Sequence, residues 1–122
     1  MDLFVIKKVL AACGPNIFLR LAVNGQEALR YLRELATDKQ ASCPDLVLLD
    51  LNLPKVQGRE VLRELRADSQ CRRVPVIVVT SSTADTDREA AIHLGADAYF
   101  VKSPDLSVYM ELTNVVNRLL PP

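Results

Sequence analysis

Pro44-Asp45-Leu46-Val47-Leu48-Leu49-Asp50-Leu51-Asn52-Leu53-Pro54 is a nearly continuous aliphatic run that breaks on a carboxylate. A strand apolar on every side belongs in a parallel sheet covered by helices on both faces. In such sheets ligand chemistry collects just beyond the carboxyl ends of the strands, which makes Asp50 the first candidate for a functional residue. Downstream, the 54–58 turn leads to a helix marked by Val61, Leu62 and Leu65. Residues 74–79 then form a strand ending at Thr80, and Ser82 or Thr83 can cap a helix over 84–94, with Gly95 suited to its left-handed C-terminal position. A short strand at 98–101 ends at Lys102, and Leu112, Val115, Val116 and Leu119 stripe a last helix. Upstream, Leu3, Ile6, Val9, Leu10 and Cys13 recur at helical spacing until Gly14-Pro15. Residues 17–23 are β-rich, and Asn24 with Glu27 has capping-box spacing before the stripe Ala28, Leu29, Leu32 and Leu35. The alternation of strands and helices predicts an α/β fold with a doubly wound parallel sheet and right-handed crossovers.

At 122 residues the chain is read as one domain, residues 1–122, able to bury a core without metal or disulfide staples. With 15 basic and 15 acidic residues the net charge is zero, so no field draws the protein to nucleic acid or anionic lipid. No direct nucleic-acid partner is expected. No apolar stretch approaches the roughly 20 residues that span a bilayer, and no signal peptide is evident, which points to a cytoplasmic protein off the membrane. Cys13, Cys43 and Cys71 are odd in number and widely spaced, and are expected to be reduced thiols.

The predicted topology brings three polar strand ends together: Asp50, Thr80 and Lys102. A carboxylate, a hydroxyl and an ammonium at adjacent positions suit a phosphoryl group. Asp50 can be the oxygen nucleophile, Thr80 can donate a hydrogen bond, and Lys102 can neutralise charge. Here the chain resembles the receiver domain of two-component response regulators, over nearly its whole length. The resemblance rests on Leu48-Leu49-Asp50-Leu51-Asn52-Leu53-Pro54, on Val78-Val79-Thr80-Ser81, and on Gly95-Ala96-Asp97-Ala98-Tyr99-Phe100-Val101-Lys102. The Leu-Asn-Leu-Pro form further resembles the small stand-alone regulators that partner phytochrome-type and hybrid kinases. The resemblance implies a flavodoxin-like fold and a signalling protein rather than an enzyme. It makes Asp50 the phosphoacceptor, fed by a histidine kinase or phosphotransfer protein. Asn52 would help bind Mg2+ through its backbone carbonyl beside Asp50, and Tyr99 would be a switch. No effector segment follows Leu120-Pro121-Pro122, so the output is expected to be a downstream protein partner.

The chain departs from the family pattern in two places. Receivers begin with a strand ending in two adjacent acids that hold the metal. Here the sequence starts at Met1-Asp2 directly in the first helix. The expectation is therefore an N-terminally truncated receiver fold lacking its first strand and acidic pair, with Mg2+ binding weak or absent and with a strand-exchanged homodimer as one repair. The second departure is Lys102-Ser103-Pro104, where receivers place proline next to the lysine; Ser103 as N-cap and Pro104 at the first helical position give an ordinary helix start. An alternative follows: a degenerate receiver that binds partners without phosphorylation. A dehalogenase-like phosphatase also uses an aspartate after a strand, but needs a second acid where Asn52 stands. His93 reads as a surface residue near a helix end, and Arg59, Glu60, Arg63, Glu64 and Arg66 as a solvated helix face.

Overall fold

The structure, a computed structural model, describes residues 25–37, 43–50, 58–67, 71–103 and 105–119. Its elements run α1 (Gly25–Thr37), β1 (Val47–Leu49), α2 (Gly58–Ala67), β2 (Val76–Thr80), α3 (Asp85–His93), β3 (Ala98–Val101) and α4 (Leu106–Leu119). The expected helix before residue 14, the strand at 17–23, Asn24 and Asn52 lie outside the described residues. So does the segment on which a missing first strand would be judged, and that expectation is not borne out.

The three described strands form a parallel sheet in the order β1-β2-β3, with Leu49 paired to Val78 and Thr80 to Val101. Alternation along β2 divides the core. Val76 and Val78 join Leu49, Leu29 and Leu32 of α1, Val61, Leu62 and Leu65 of α2, and Ala91 of α3 on one face. Ile77 and Val79 join Leu112 and Val116 of α4 on the other. Every residue of β2 is buried, the condition of a central strand covered on both sides. The double winding expected from the alternating pattern is therefore present.

Helix ends are set by local chemistry. After α3, the Gly95 N–H donates to the Ile92 carbonyl and the Ala96 N–H to the Ala91 carbonyl, both at 3.0 Å, a Schellman closure. Gly95 takes φ +103°, and a Cβ there would sit 2.9 Å from Arg66 Nε. α3 carries no side-chain cap from Ser82 or Thr83: its N-cap position is Ala84, and Ser82 is engaged elsewhere. The start of α4 also differs from expectation. Asp105, not Ser103, caps it, accepting the Ser107 N–H at 2.9 Å, while the Ser103 hydroxyl accepts the Asp105 N–H at 3.0 Å. Asp and Ser rank alike as N-caps, and it is Asp105 that directly precedes the helix at Leu106; the Ser107 backbone N–H and then the Ser107 side chain hold the Asp105 carboxyl below its ordinary range.

Two further expectations are corrected. Cys43 and Cys71 are not separate thiols but are joined in a disulfide with Cα atoms 5.6 Å apart; residues 28 apart in sequence meet because one precedes β1 and the other precedes the adjacent β2. The charged face of α2 is not simply solvated. Glu64 pairs with Arg33 of α1 at 3.0 Å, and Arg66 reaches the Gly95 carbonyl at 2.6 Å, the Arg72 carbonyl at 2.9 Å, the Val74 carbonyl at 2.5 Å and Asp97 at 3.0 Å. Asp97 in turn accepts the Val76 N–H at 2.8 Å. A planar fork of five donors can serve four acceptors at once, as an ammonium could not. His93 ends α3 and is exposed, as expected.

Candidate functional site

A parallel sheet places the carboxyl ends of its strands on one side, and β2 lies between the other two. Asp50 follows Leu49 at the end of β1, Thr80 is the last residue of β2, and Lys102 follows Val101 of β3. The Lys102 N–H donates to the Thr80 carbonyl at 2.7 Å, extending the ladder by one bond. Its Nζ donates to Asp50 Oδ2 at 2.5 Å. Outer strands flanking a central one are about 10 Å apart, a gap that a long lysine stem and a carboxylate bridge together. This ion pair is partly exposed, at 22% for the lysine and 29% for the aspartate side chain, so the carboxylate stays open to an incoming group. All three residues expected to converge do so.

Thr80 is fully buried. Its hydroxyl accepts the Ser82 N–H at 3.3 Å, and the Tyr99 hydroxyl donates to the Ser82 carbonyl at 3.2 Å. Tyr99, half-buried against the larger core cluster, is thus linked through one residue to Thr80. The same loop carries residues that sequence reasoning missed. The Ser82 hydroxyl donates to Asp87 Oδ2 at 2.5 Å, and Arg59 Nη2 donates to Asp87 Oδ1. Asp87 so ties the loop after Thr80 to the first turn of α2, the helix that follows the Asp50 segment. No local pattern signals a pair separated by 28 residues.

Among the described residues no group of three His, Cys, Asp or Glu side chains could hold a metal ion. Asp50 supplies one hard oxygen donor at a half-exposed position. That fits a magnesium ion of the kind that takes one or two carboxylates and completes its shell with waters and phosphate oxygens.

A doubly wound parallel sheet with an acid, a hydroxyl and a lysine at neighbouring carboxyl ends defines an α/β domain built to receive a phosphoryl group. The sequence matches the response regulator receiver domain over residues 3–114, and the chain belongs to that family. It is thereby a two-component response-regulator domain, with the flavodoxin-like receiver fold. Response regulator Rcp1 of Synechocystis sp. is 34% identical over 105 residues, 86% of this chain and 71% of that protein. Polar-differentiation response regulator DivK of Brucella anthropi is 38% identical over 88 residues, 72% of this chain and 66% of that protein. The chain spans 50% and 29% of the length of two longer relatives. Among solved structures, the phosphorylated cyanobacterial phytochrome response regulator RcpA superposes with a TM-score of 0.81 at 35% identity, covering 98% of this chain and 85% of that one. The Mn(2+)-bound form of Rcp1 gives 0.77 at 30% identity, covering 98% of this chain and 90% of that one. The receiver domain of a sensor histidine kinase from Pseudomonas aeruginosa, with a magnesium ion in its active-site cleft, gives 0.72 at 28% identity over 95% of this chain and 85% of that one. A likeness to whole receivers that takes in nearly the entire chain gives no support to a fold short of a strand.

Proposed function

We propose that Asp50 is the phosphoacceptor and that the chain works as a signalling module rather than as an enzyme. The observation that carries this reading is the direct Lys102–Asp50 contact beside the buried hydroxyl of Thr80. An Asp50 carboxylate oxygen attacks the phosphorus of a phosphohistidine donor in line. The new P–O bond forms as the P–N bond breaks, and the histidine nitrogen leaves with the electron pair. Lys102 moves its charge from Asp50 alone to the growing negative charge on the phosphoryl oxygens, and Thr80 donates a hydrogen bond to one of them. Asp50, with the Asn52 backbone carbonyl, would hold Mg2+, which supplies charge neutralisation between carboxylate and phosphoryl group. The Mn(2+) and magnesium ions in the two relatives support that assignment.

The phosphoryl group draws Thr80 toward Asp50, which loosens its bond to Ser82 and so disturbs the residue that Tyr99 holds. Tyr99 then acts as the switch, and the α3, β3 and α4 face shifts population toward a partner-binding form. The phosphoryl source is a histidine kinase or phosphotransfer protein, and a second protein reads the output. A phosphorylation-independent module is the less favoured reading, because a lysine paired to a partly exposed carboxylate beside a strand-end hydroxyl supports phosphoryl transfer. Incubation with acetyl phosphate tests the reading: magnesium-dependent labelling lost in Asp50→Ala supports it, and labelling that survives that substitution contradicts it.

A further inference from the structure

The Cys43–Cys71 pair stands at the opposite end of the sheet from Asp50. Cys43 precedes β1 and Cys71 precedes β2, and both strands run parallel toward the site. The bond closes a ring over residues 43–71 that contains β1, Asp50 and all of α2. We propose that this pair is a reversible redox modification site, exchanging with low-molecular-weight thiols and disulfides, whose closure stiffens the segment carrying Asp50.

Three observations carry it. The two sulfurs differ in access: Cys71 is 1% exposed, whereas Cys43 is partly exposed, so Cys43 offers an entry point for exchange. The surroundings of the bond are apolar. Cys71 belongs to the larger core cluster with Cys43 packed against it, and two thiols there remain small apolar groups. The turn between them and β2 is held without the bond: the Val74 N–H donates to the Cys71 carbonyl at 3.1 Å, the Val47 N–H to the Pro75 carbonyl at 2.9 Å, and Arg66 grips the Arg72 and Val74 carbonyls. The thiols of the reduced form are thus kept in position to close again.

Closure runs by exchange. The Cys43 thiolate attacks oxidised glutathione and releases one glutathione thiolate; the Cys71 thiolate then attacks the Cys43 sulfur of the mixed disulfide and releases the second. Two protein thiols and one glutathione disulfide give one protein disulfide and two glutathione thiols. The constraint acts on the unfolded chain, which loses loop-closure entropy, and on excursions of α2 away from β1.

The test uses the full chain carrying Cys13→Ser, so that two cysteines remain. After oxidised glutathione, denaturation and maleimide, the expected count is no reactive thiol, with Cys43 and Cys71 in one cross-linked peptide; after dithiothreitol the count is two. The oxidised form should melt about 5–15 °C above the reduced form, and this difference should vanish in Cys43→Ser and in Cys71→Ser, the first retained as the probe should the buried site not tolerate serine. Two reactive thiols after oxidation, two stable glutathione adducts, or equal melting of both forms would overturn the proposal. None of these readouts depends on phosphorylation of Asp50.

Discussion

At the scale of single residues the site divides its tasks by burial. Asp50 and Lys102 are partly exposed, whereas Thr80 is sealed in the core; in the proposed mechanism the first two meet the donor and the third answers from within. Lys102→Gln keeps the stem and removes the charge. Its expected effect is a drop in acetyl phosphate labelling of about 100- to 1000-fold, the range for losing one preorganised stabilising group, with the melting temperature little changed. Thr80→Val is nearly isosteric. It should cost about 1 kcal/mol in urea unfolding for the lost hydroxyl bond, label at Asp50, and fail to shift the Tyr99 ring resonances on phosphorylation. Asp105 gives a pH prediction. Its carboxyl is lowered from an ordinary value of 3.8, first by the Ser107 backbone N–H and then by the Ser107 side chain. A lowered acid stabilises the fold above its unfolded value and loses that contribution as the pH falls through the folded value. The first turn of α4 should therefore fray only below pH 3.8, an acid transition visible in Ser107 amide shifts and absent in Asp105→Asn.

At the scale of elements, the strands were legible as short continuous apolar runs, because a strand covered on both faces buries every residue, and the stripes of α1, α2 and α4 because one-sided burial imposes a period of 3.6 along a helix. Asp50, Thr80 and Lys102 were legible for a related reason: each is a polar residue that ends an apolar run. What escaped the sequence was pairing at a distance. Nothing near Arg66 announces that its fork joins α2 to Gly95 and Asp97, and nothing near Cys43 announces Cys71. The caps were half legible: Gly95 fell where expected, but the choice of Asp105 over Ser103 is made between two good acceptors two residues apart. Gly95→Ala should destabilise the domain by about 1–2 kcal/mol from the left-handed backbone alone, and more from the clash with Arg66. Arg66→Ala should cost about 2–3 kcal/mol by leaving several carbonyls without a charged donor. Both are measurable by urea unfolding, and the two losses should not add, since Arg66 and Gly95 touch.

At the scale of the whole molecule, the sheet has two poles with different duties. The carboxyl-end pole holds the Asp50, Thr80 and Lys102 cluster, with Asp87 tying its loop to α2. The opposite pole holds the disulfide and the Arg66 network. Among the described residues no helix is long and apolar enough to cross a membrane. Ile92 of α3 and Met110 of α4 are exposed large apolar side chains on the helices flanking β3, where the proposed output surface lies. The identity of the phosphoacceptor is open to direct chemical trapping. Protein incubated with acetyl phosphate and Mg2+ is trapped with borohydride, which reduces an aspartyl phosphate to homoserine, and is then mapped by peptide mass spectrometry. Homoserine at position 50 and nowhere else is the predicted result; homoserine at another aspartate, or none while the protein remains folded, would contradict the account.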